Sequence, residues 1–469
     1  MEKNDPKTWV LAAGVLVLLM QGGFALVTSG LCRAKSAGQV VTMNFMIYPL
    51  GILGFWACGF ALMFGGGSHE PVLGAAQWVL GHGSPALNKE WGPGMFGHRG
   101  FFLSSLGTDP MIFRLFFYQA AVVTVAAAIP AGVMAERWRF PNFMLYGFWA
   151  GALPIALFGN WVWGGGWLSQ LGKDFGLGHG YVDFAGSSVV HMAGGVIGLA
   201  GAAVLGPRVG KYARDGRPRP MPGHNLVYVA LGTLILAVGW FGFNIGPALA
   251  GGHERVAVIA VNTLLASATG AVGAYVVVIT KFRKPDPSML CNGMLAGLVA
   301  ISGPCAFVSP AGAVIVGAVA GILVVYSVVF FEAKLKVDDP VGAISVHGVS
   351  GAWGVLSIGL LANGSYGAGW NGIHTLAKDG SEMGVAGAFG TLFGSPANDW
   401  SQLGAQAAGA LTCLIFIGLF ALLWFKISNF IVPMRSKRED EIAGLDLPEM
   451  GAECYPDFHL TDKGASRSD

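Results

Sequence analysis

This sequence has few charged residues. Asp, Glu, Lys and Arg make up only 12% of its 469 residues, whereas about a quarter of an ordinary soluble domain is charged. Hydrophobic residues make up 54%, and the mean hydropathy is +0.59. A water-facing surface cannot be built from so few charges. The composition therefore excludes a chain of soluble domains and indicates an integral membrane protein.

The sequence also lacks the usual signs of a disulfide framework or a metal site. Its six cysteines show neither a CxxC pair nor a spacing with histidine that is typical of zinc sites. We therefore expect no bound metal or other cofactor. The net charge of +2 is too small to attract nucleic acid. Because no cleavage site precedes or follows the first apolar run, we expect that run to remain as a spanning helix.

Eleven apolar runs are long enough to cross about 30 Å of hydrocarbon. They lie at about 9–30, 41–65, 111–134, 142–163, 184–205, 225–246, 256–280, 288–307, 311–331, 342–361 and 403–427. The predicted fold is thus an all-α integral membrane protein with eleven transmembrane helices.

The distribution of basic residues predicts the orientation of these helices. An odd number of spans places the two termini on opposite sides of the membrane. If the N-terminus is outside, the inner loops and the tail hold most of the 28 Lys and Arg residues. Since basic residues are enriched in cytoplasmic loops, we expect a protein of the cell (inner) membrane with its N-terminus outside. Residues 1–431 then form the membrane domain, and 432–469 form a solvated cytoplasmic tail.

An internal repeat links two of the predicted helices. Residues 183–199 (DFAGSSVVHMAGGVIGL) match residues 339–355 (DPVGAISVHGVSGAWGV), and each copy has an Asp eight residues before a His. The first copy opens the fifth run, which passes inward, and the second opens the tenth run, which passes outward. This antiparallel arrangement predicts two inverted five-helix repeats followed by a C-terminal helix.

The two repeated histidines, His191 and His347, fall near the middle of the membrane. Eight helical residues span about 12 Å, and half of the hydrocarbon thickness is about 15 Å. Ionisable groups are costly at that depth and indicate an ion or proton pathway, although a single buried His is more often a satisfied core residue. The repeated acids, Asp183 and Asp339, can cap helix N–H groups with or without a second role.

Five blocks of the sequence resemble the ammonium transporters of the Amt/Mep/Rh superfamily. These blocks are AERWRF at 135–140, VWGGG at 162–166, residues 183–208, WFGFN at 240–244 and VHGVSGAWG at 346–354. The resemblance covers nearly the whole chain. It implies a transporter and not an enzyme, with a narrow apolar pore in each subunit of a homotrimer. The tail resembles those of bacterial members gated by PII-type nitrogen-regulatory proteins, so the resemblance implies such a partner.

The resemblance also implies roles for individual residues. His191 and His347 match the paired pore histidines, which share a proton and hydrogen-bond the passing substrate. Asp183 matches the acidic residue beneath the outer vestibule, which favours the cation. Trp163 matches the vestibule tryptophan, whose π-face suits a small cation.

The aromatic positions follow the family pattern only in part. Phe243 resembles one of two stacked phenylalanines that close the pore, and Trp240 lies one turn earlier near the pore wall. Ordinary packing is the alternative reading for both. Val122 stands where the family usually has the outer gate Phe, and Pro247 where a vestibule Ser supplies a hydroxyl. We expect Tyr118, one turn before Val122, to bind substrate and to restore both a ring and a hydroxyl.

Three functions are consistent with these residues to different degrees. The leading hypothesis is a transporter that recruits NH₄⁺ at an outer vestibule, removes a proton and passes ammonia, because bare NH₄⁺ is too costly to desolvate. A second is an ammonium sensor of the same fold with little conduction, made more plausible by Val122 and Pro247 but less so by the expected lack of an output domain. A third is a redox protein with His191 and His347 as axial haem ligands, which the family motifs disfavour.

Overall fold

The structure is a computed structural model that describes residues 9–66, 95–104, 110–249, 254–377, 380–393 and 399–456. These residues are mostly helical. A short antiparallel pair, β1 (Thr375–Leu376) and β2 (Glu382–Met383), lies between the last two membrane helices. The architecture therefore confirms the predicted all-α class.

Apolar helices match all eleven predicted runs. Within the described residues, ten helices are long and apolar enough to cross a membrane, and one further apolar helix is shorter. They are α1 (Trp9–Leu31), α2 (Ala34–Phe64), α3 (Pro110–Val133), α4 (Phe140–Val162), α5 (Ser187–Leu205), α6 (Leu226–Ala248), α7 (Arg255–Phe282), α8 (Pro287–Ser302), α9 (Pro310–Leu335), α10 (Ile344–Leu361) and α11 (Trp400–Ile431). This is a multi-pass membrane protein.

The short helix, α8, ends before the predicted position. The run was expected to continue to about residue 307, but the helix stops at Ser302. Gly303 and Pro304 follow, and proline lacks the N–H group that would continue the helix. The freed carbonyl groups of Ser302 and Gly303 accept hydrogen bonds from the N–H groups of Ala185 and Phe184. This early end joins α8 to the segment that leads into α5.

Helices α5 and α10 cross with their backbones in contact. A Cβ atom on Gly195 would lie 2.4 Å from a backbone nitrogen of α10, and one on Gly351 would lie 2.3 Å from a backbone oxygen of α5. Glycine permits this approach because it has no Cβ. Of the second glycines of the repeats, Gly198 faces α3, whereas Gly354 lies against both α8 and Ser187 of α5. The crossing brings the two repeated histidines together.

A buried ion cluster joins the loops at one end of the helices. Glu136 is buried in a left-handed conformation (φ 67°) and pairs with Arg33 and Arg208. Arg208 Nε also lies 2.9 Å from Asp338 Oδ2. Burial raises the pKa of Asp338, but the charges of Arg137 and Arg208 outweigh burial and hold that pKa well below its usual range. The carboxylate is therefore ionised.

The described part of the tail packs against this end of the molecule through a few buried residues, while most of its residues are exposed or half-buried. Asp446 accepts hydrogen bonds from the N–H groups of Gly38 (3.0 Å) and Gln39 (2.8 Å) at the start of α2. Glu441 is buried and pairs with Arg435 at 2.8 Å. The first N–H groups of a helix lack partners within the helix and attract negative charge, which explains why acidic tail residues dock there.

Candidate functional site

Two buried histidines meet where α5 crosses α10. His191 Nδ1 lies 3.2 Å from His347 Nδ1, and the ring centroids are 5.2 Å apart. The residues are 0% and 4% exposed, respectively. Each sits in a π-helical turn, Ser187–Met192 or Ile344–Val349, and such turns within α-helices are frequent at functional sites. The two repeats therefore place their histidines in the same kind of π-helical turn.

The hydrogen bond between the rings fixes the chemistry that they offer. If one Nδ1 donates, the other accepts, so one Nε2 is an acceptor and the other carries a proton. His191 Nε2 is buried and has no hydrogen-bond partner among the described residues. A buried polar atom without a partner is costly. This nitrogen is therefore suited to a small polar molecule that passes it.

Aromatic rings enclose the histidine pair. Trp240 stacks on His191 with ring centroids 4.9 Å apart, and Phe243 lies 5.3 Å from the same ring. On the other side, Phe24 lies 6.0 Å from His347. The imidazoles are therefore held in surroundings of low polarity, where a charged substrate would lose its hydration.

A narrow cavity continues beyond His347. Its volume is about 20 Å³, enough for a molecule the size of water. Most of its wall is apolar, and His347, Thr28 and Asn292 supply the polar groups. The other lining residues are Phe24, Val27, Ala128, Ile129, Gly132, Leu236, Leu295, Val341, Ala343 and Val346.

A wider vestibule of about 290 Å³ adjoins this cavity. It is called the charged vestibule and is distinct from the predicted outer vestibule at Trp163 and Asp183. Its wall carries charges of both signs from Arg208, Lys211, Asp286, Glu332 and Asp339. The histidine pair, the narrow cavity and the charged vestibule follow one another along one path, so they form a candidate pore.

Asp183 caps α5 with its whole carboxylate. Oδ1 accepts from two backbone N–H groups, and Oδ2 accepts from two more and from the hydroxyl of Ser188, at distances of 2.7–3.0 Å. Asp339 caps α10 in the same manner through three backbone N–H groups. The capping interpretation of both acids is therefore confirmed. The Asp183 carboxylate is itself buried, and both of its oxygens are occupied by these hydrogen bonds.

Trp163 is fixed to the same segment. Its Nε1 donates to the carbonyl oxygen of Asp183 at 2.7 Å. Its ring packs over Gly186, where a Cβ would lie 3.3 Å from the indole. The predicted pair of Trp163 and Asp183 is thus brought together at the start of α5.

Tyr118 is attached to the pore wall by its hydroxyl. The buried side chain donates to the carbonyl oxygen of Phe243 at 2.6 Å. The hydroxyl proton is used within the protein, so only the hydroxyl oxygen is left to accept a hydrogen bond from a substrate, and the expected binding role of Tyr118 stays a prediction. Tyr118 contributes a ring beside Phe243, while Val122 and Pro247 are both buried.

Six of the seven predicted site residues form two groups, one of Trp163 and Asp183 and the other of His191, His347, Trp240 and Phe243. The seventh, Tyr118, joins the second group through its hydrogen bond to Phe243. Sequence reasoning missed Phe24, because an aromatic residue in an apolar run carries no distinguishing signal. It also missed Ser302, whose hydroxyl accepts from Trp240 Nε1 at 2.8 Å. Asn292 was missed as well, although a single amide inside an apolar helix is a usable signal.

The haem alternative does not fit the histidine geometry. Two nitrogens that bind one metal ion from opposite sides lie about 4 Å apart when each bond is about 2.0–2.1 Å, as for histidine and zinc. The Nδ1 atoms of His191 and His347 are 3.2 Å apart. That separation leaves no room for an iron porphyrin between the rings.

Comparisons with known proteins agree with this architecture. The sequence profile of the Ammonium Transporter Family matches residues 8–455. Ammonium transporter Amt2 of Archaeoglobus fulgidus is 40% identical, over 97% of this chain and 89% of that protein. The ammonium transporter of Bacillus subtilis is 32% identical, over 94% of this chain and 96% of its own length.

Solved structures show the same fold. A sensor Amt protein superimposes with a TM-score of 0.79 and 31% identity, over 95% of this chain and 98% of that one. Mep2 of Saccharomyces cerevisiae gives a TM-score of 0.75 and 25% identity, over 93% and 91% of the two chains. Because its eleven apolar helices are present and the family profile matches nearly the whole chain, this chain belongs to the ammonium transporter family, whose members are transporters and not enzymes.

Proposed function

We propose that this protein transports ammonium across the cell membrane by taking NH₄⁺ at an outer vestibule, removing one proton and passing ammonia through the pore. The observation that carries the proposal is the buried pair of His191 and His347, which leaves His191 Nε2 without a partner among the described residues. The relatives named as ammonium transporters support ammonium as the substrate.

The apolar path favours ammonia over its cation. An ammonium ion stripped of water in such surroundings loses far more hydration free energy than the pore can replace. Neutral ammonia needs only one or two hydrogen-bond partners. The histidine pair offers both an acceptor and a donor nitrogen, which suits a molecule that can accept and donate hydrogen bonds.

Recruitment of the cation falls to the group at the start of α5. The π-face of Trp163 attracts a small cation, and Asp183 supplies a fixed negative charge behind it. Tyr118 and Phe243 contribute rings between this group and the histidines. Trp240 keeps the His191 ring in place by stacking on it. In this arrangement the proton leaves before ammonia reaches the paired imidazoles.

The assembly and orientation are part of the same proposal. We propose a homotrimer with one pore per subunit, the N-terminus outside, and residues 432–469 as a cytoplasmic regulatory tail. The basic loops support the inward position of the tail. A PII-type protein is the proposed partner of that tail, and the docking of Glu441 and Asp446 against the membrane domain gives such a partner a contact to displace.

A sensor with little conduction is the second candidate. It is favoured by the likeness to a sensor Amt protein and by the missing gate ring at Val122. Currents evoked by ammonium in proteoliposomes on a solid support distinguish the two functions. A transporter gives a saturable current that empty liposomes lack. If the protein binds ammonium with no current and no added flux, the transport proposal fails and the sensor remains.

A further inference from the structure

Two residues separate the narrow cavity beneath His347 from the charged vestibule. The cavity of about 20 Å³ and the vestibule of about 290 Å³ are both lined by Asn292 and Val341. Asn292 belongs to α8, and Val341 lies in the short segment before α10. These two residues therefore lie where the narrow cavity and the charged vestibule meet.

The side chain of Val341 packs against residues of neighbouring helices. One of its methyl groups lies against Gly132 of α3, where an added Cβ would be only 2.7 Å away. A methyl group of Thr28 in α1 is 3.5 Å from the same point. The valine therefore fills the space between α1, α3 and its own segment, with no room for a larger residue at Gly132.

The backbone of Val341 is held as well. Its N–H donates to Asp339 Oδ1, and its carbonyl oxygen accepts from Asn292 Nδ2, each at 3.2 Å. The next residue, Gly342, has φ +75°, a conformation that favours glycine. A Cβ at Gly342 would also lie 2.9 Å from Asn292 Nδ2. The Asn292 amide thus fixes the position of the valine.

We propose that Val341 is the inner gate of the pore and that Asn292 is the positioning residue that keeps the gate narrow, so that ammonia passes more readily than larger amines. This inference rests on the proposed transport function. The valine methyl groups close the path to hydrated ions, and the amide of Asn292 offers a hydrogen-bonding group to ammonia as it leaves. Because the gate limits the size of the molecules that pass, methylamine, which is one methyl group larger than ammonia, is the probe that reports its width.

A size series at the gate tests the proposal. We expect Val341→Ala to raise the ratio of methylamine flux to ammonia flux roughly tenfold, the lower end of what one methylene contributes in a close-fitting pocket. Val341→Ile should lower the ratio. The matched control is Val328→Ala, the same truncation at a residue that lines the vestibule and not the narrow cavity. Equal ratios in all four proteins would overturn the proposal.

The role of Asn292 is tested in combination with the gate. Asn292→Ala should raise the methylamine ratio when Val341 is present, because the segment is no longer fixed. In the Val341→Ala background the same change should add little, since the gate is already open. Additive effects of the two changes would show that Asn292 acts elsewhere. Variants are compared only when they elute as the same oligomer as the unchanged protein.

Thiol accessibility provides a readout that does not depend on transport. In a background with Cys58, Cys291 and Cys454 replaced by serine, a methanethiosulfonate applied from the vestibule side should modify Val337→Cys rapidly. It should modify Ala343→Cys, which lines only the inner cavity, slowly. Adding Val341→Ala should accelerate the second reaction. Equal rates at both positions would refute the gate, whereas absent ammonium flux with unequal rates would refute the transport function alone.

Discussion

Replacing Asp183 by Asn should destabilise the protein more than the equivalent change at Asp339. An amide keeps the shape of the carboxylate but has only one acceptor oxygen. In Asp183→Asn the best orientation places the amide oxygen at Oδ2 and turns the NH₂ group towards two backbone N–H donors. In Asp339→Asn only the N–H of Ile344 faces the new NH₂ group.

The expected magnitudes follow from these counts. Each buried N–H without a partner costs about 1–3 kcal/mol, so the expected loss is about 2–6 kcal/mol for Asp183→Asn and about 1–3 kcal/mol for Asp339→Asn. The assay is the apparent unfolding midpoint of the purified protein in one detergent, followed by size-exclusion chromatography after heating. Asp183→Asn should show the lower midpoint.

The same pair of variants tests what Asp183 does for transport. Because Asp183→Asn removes both a helix cap and the negative charge behind Trp163, the fraction of folded protein should fall and the half-saturation of the surviving protein should rise. A variant that stays as stable as the unchanged protein but requires much more ammonium for half-saturation would refute the capping argument. Such a result would show that the carboxylate serves recruitment of the cation and not the stability of α5.

Three further predictions concern the outer site, the tail and the ion cluster. The double change Val122→Phe with Pro247→Ser should lower the half-saturation concentration for ammonium roughly fivefold to seventyfold, because it adds a π-face and a hydroxyl. If the half-saturation measured from ammonium-evoked currents is unchanged, the assignment of the outer site is contradicted. Removing the residues after Arg438 should leave basal transport and abolish inhibition by a cognate PII-type protein, and equal binding of that protein to both forms would contradict this. The depressed pKa of Asp338 contributes stability that is present above its unfolded pKa of about 3.9 and is lost as the pH falls through the folded pKa. The apparent unfolding midpoint of the protein should therefore decrease when the pH is lowered below about 4. The Asp338→Asn variant should lose part of this pH dependence.

Hydropathy predicted the membrane helices well, because a bilayer requires long apolar runs whatever their tertiary contacts are. The repeat of Asp and His eight residues apart predicted that His191 and His347 occupy matching positions in two antiparallel repeats, and the structure brings their Nδ1 atoms within 3.2 Å. The end of α8 was missed because apolar residues continue past Gly303 and Pro304. Backbone chemistry, and not hydropathy, ends that helix.

The docked tail could not be predicted from local sequence. Acidic residues such as Glu441 and Asp446 normally indicate exposure to water. The partners that these two residues find at distant positions in the sequence are backbone N–H groups, which have no residue-specific signature. The hydroxyl of Tyr118 posed the same problem, since its acceptor is the backbone carbonyl of Phe243. Side-chain to backbone contacts of this kind appear only when the fold is known.

The most direct test of the central claim is the ammonium current of His191→Ala and His347→Ala in proteoliposomes. Each change removes half of the hydrogen-bonded pair in the pore, while His374→Ala, at an exposed residue paired with Glu382, serves as the matched control. We predict that both pore variants lose ammonium flux or admit other cations, that the control behaves as the unchanged protein, and that all three remain folded. Unchanged flux with unchanged ammonium selectivity in both pore variants would contradict a role for the pair in transport.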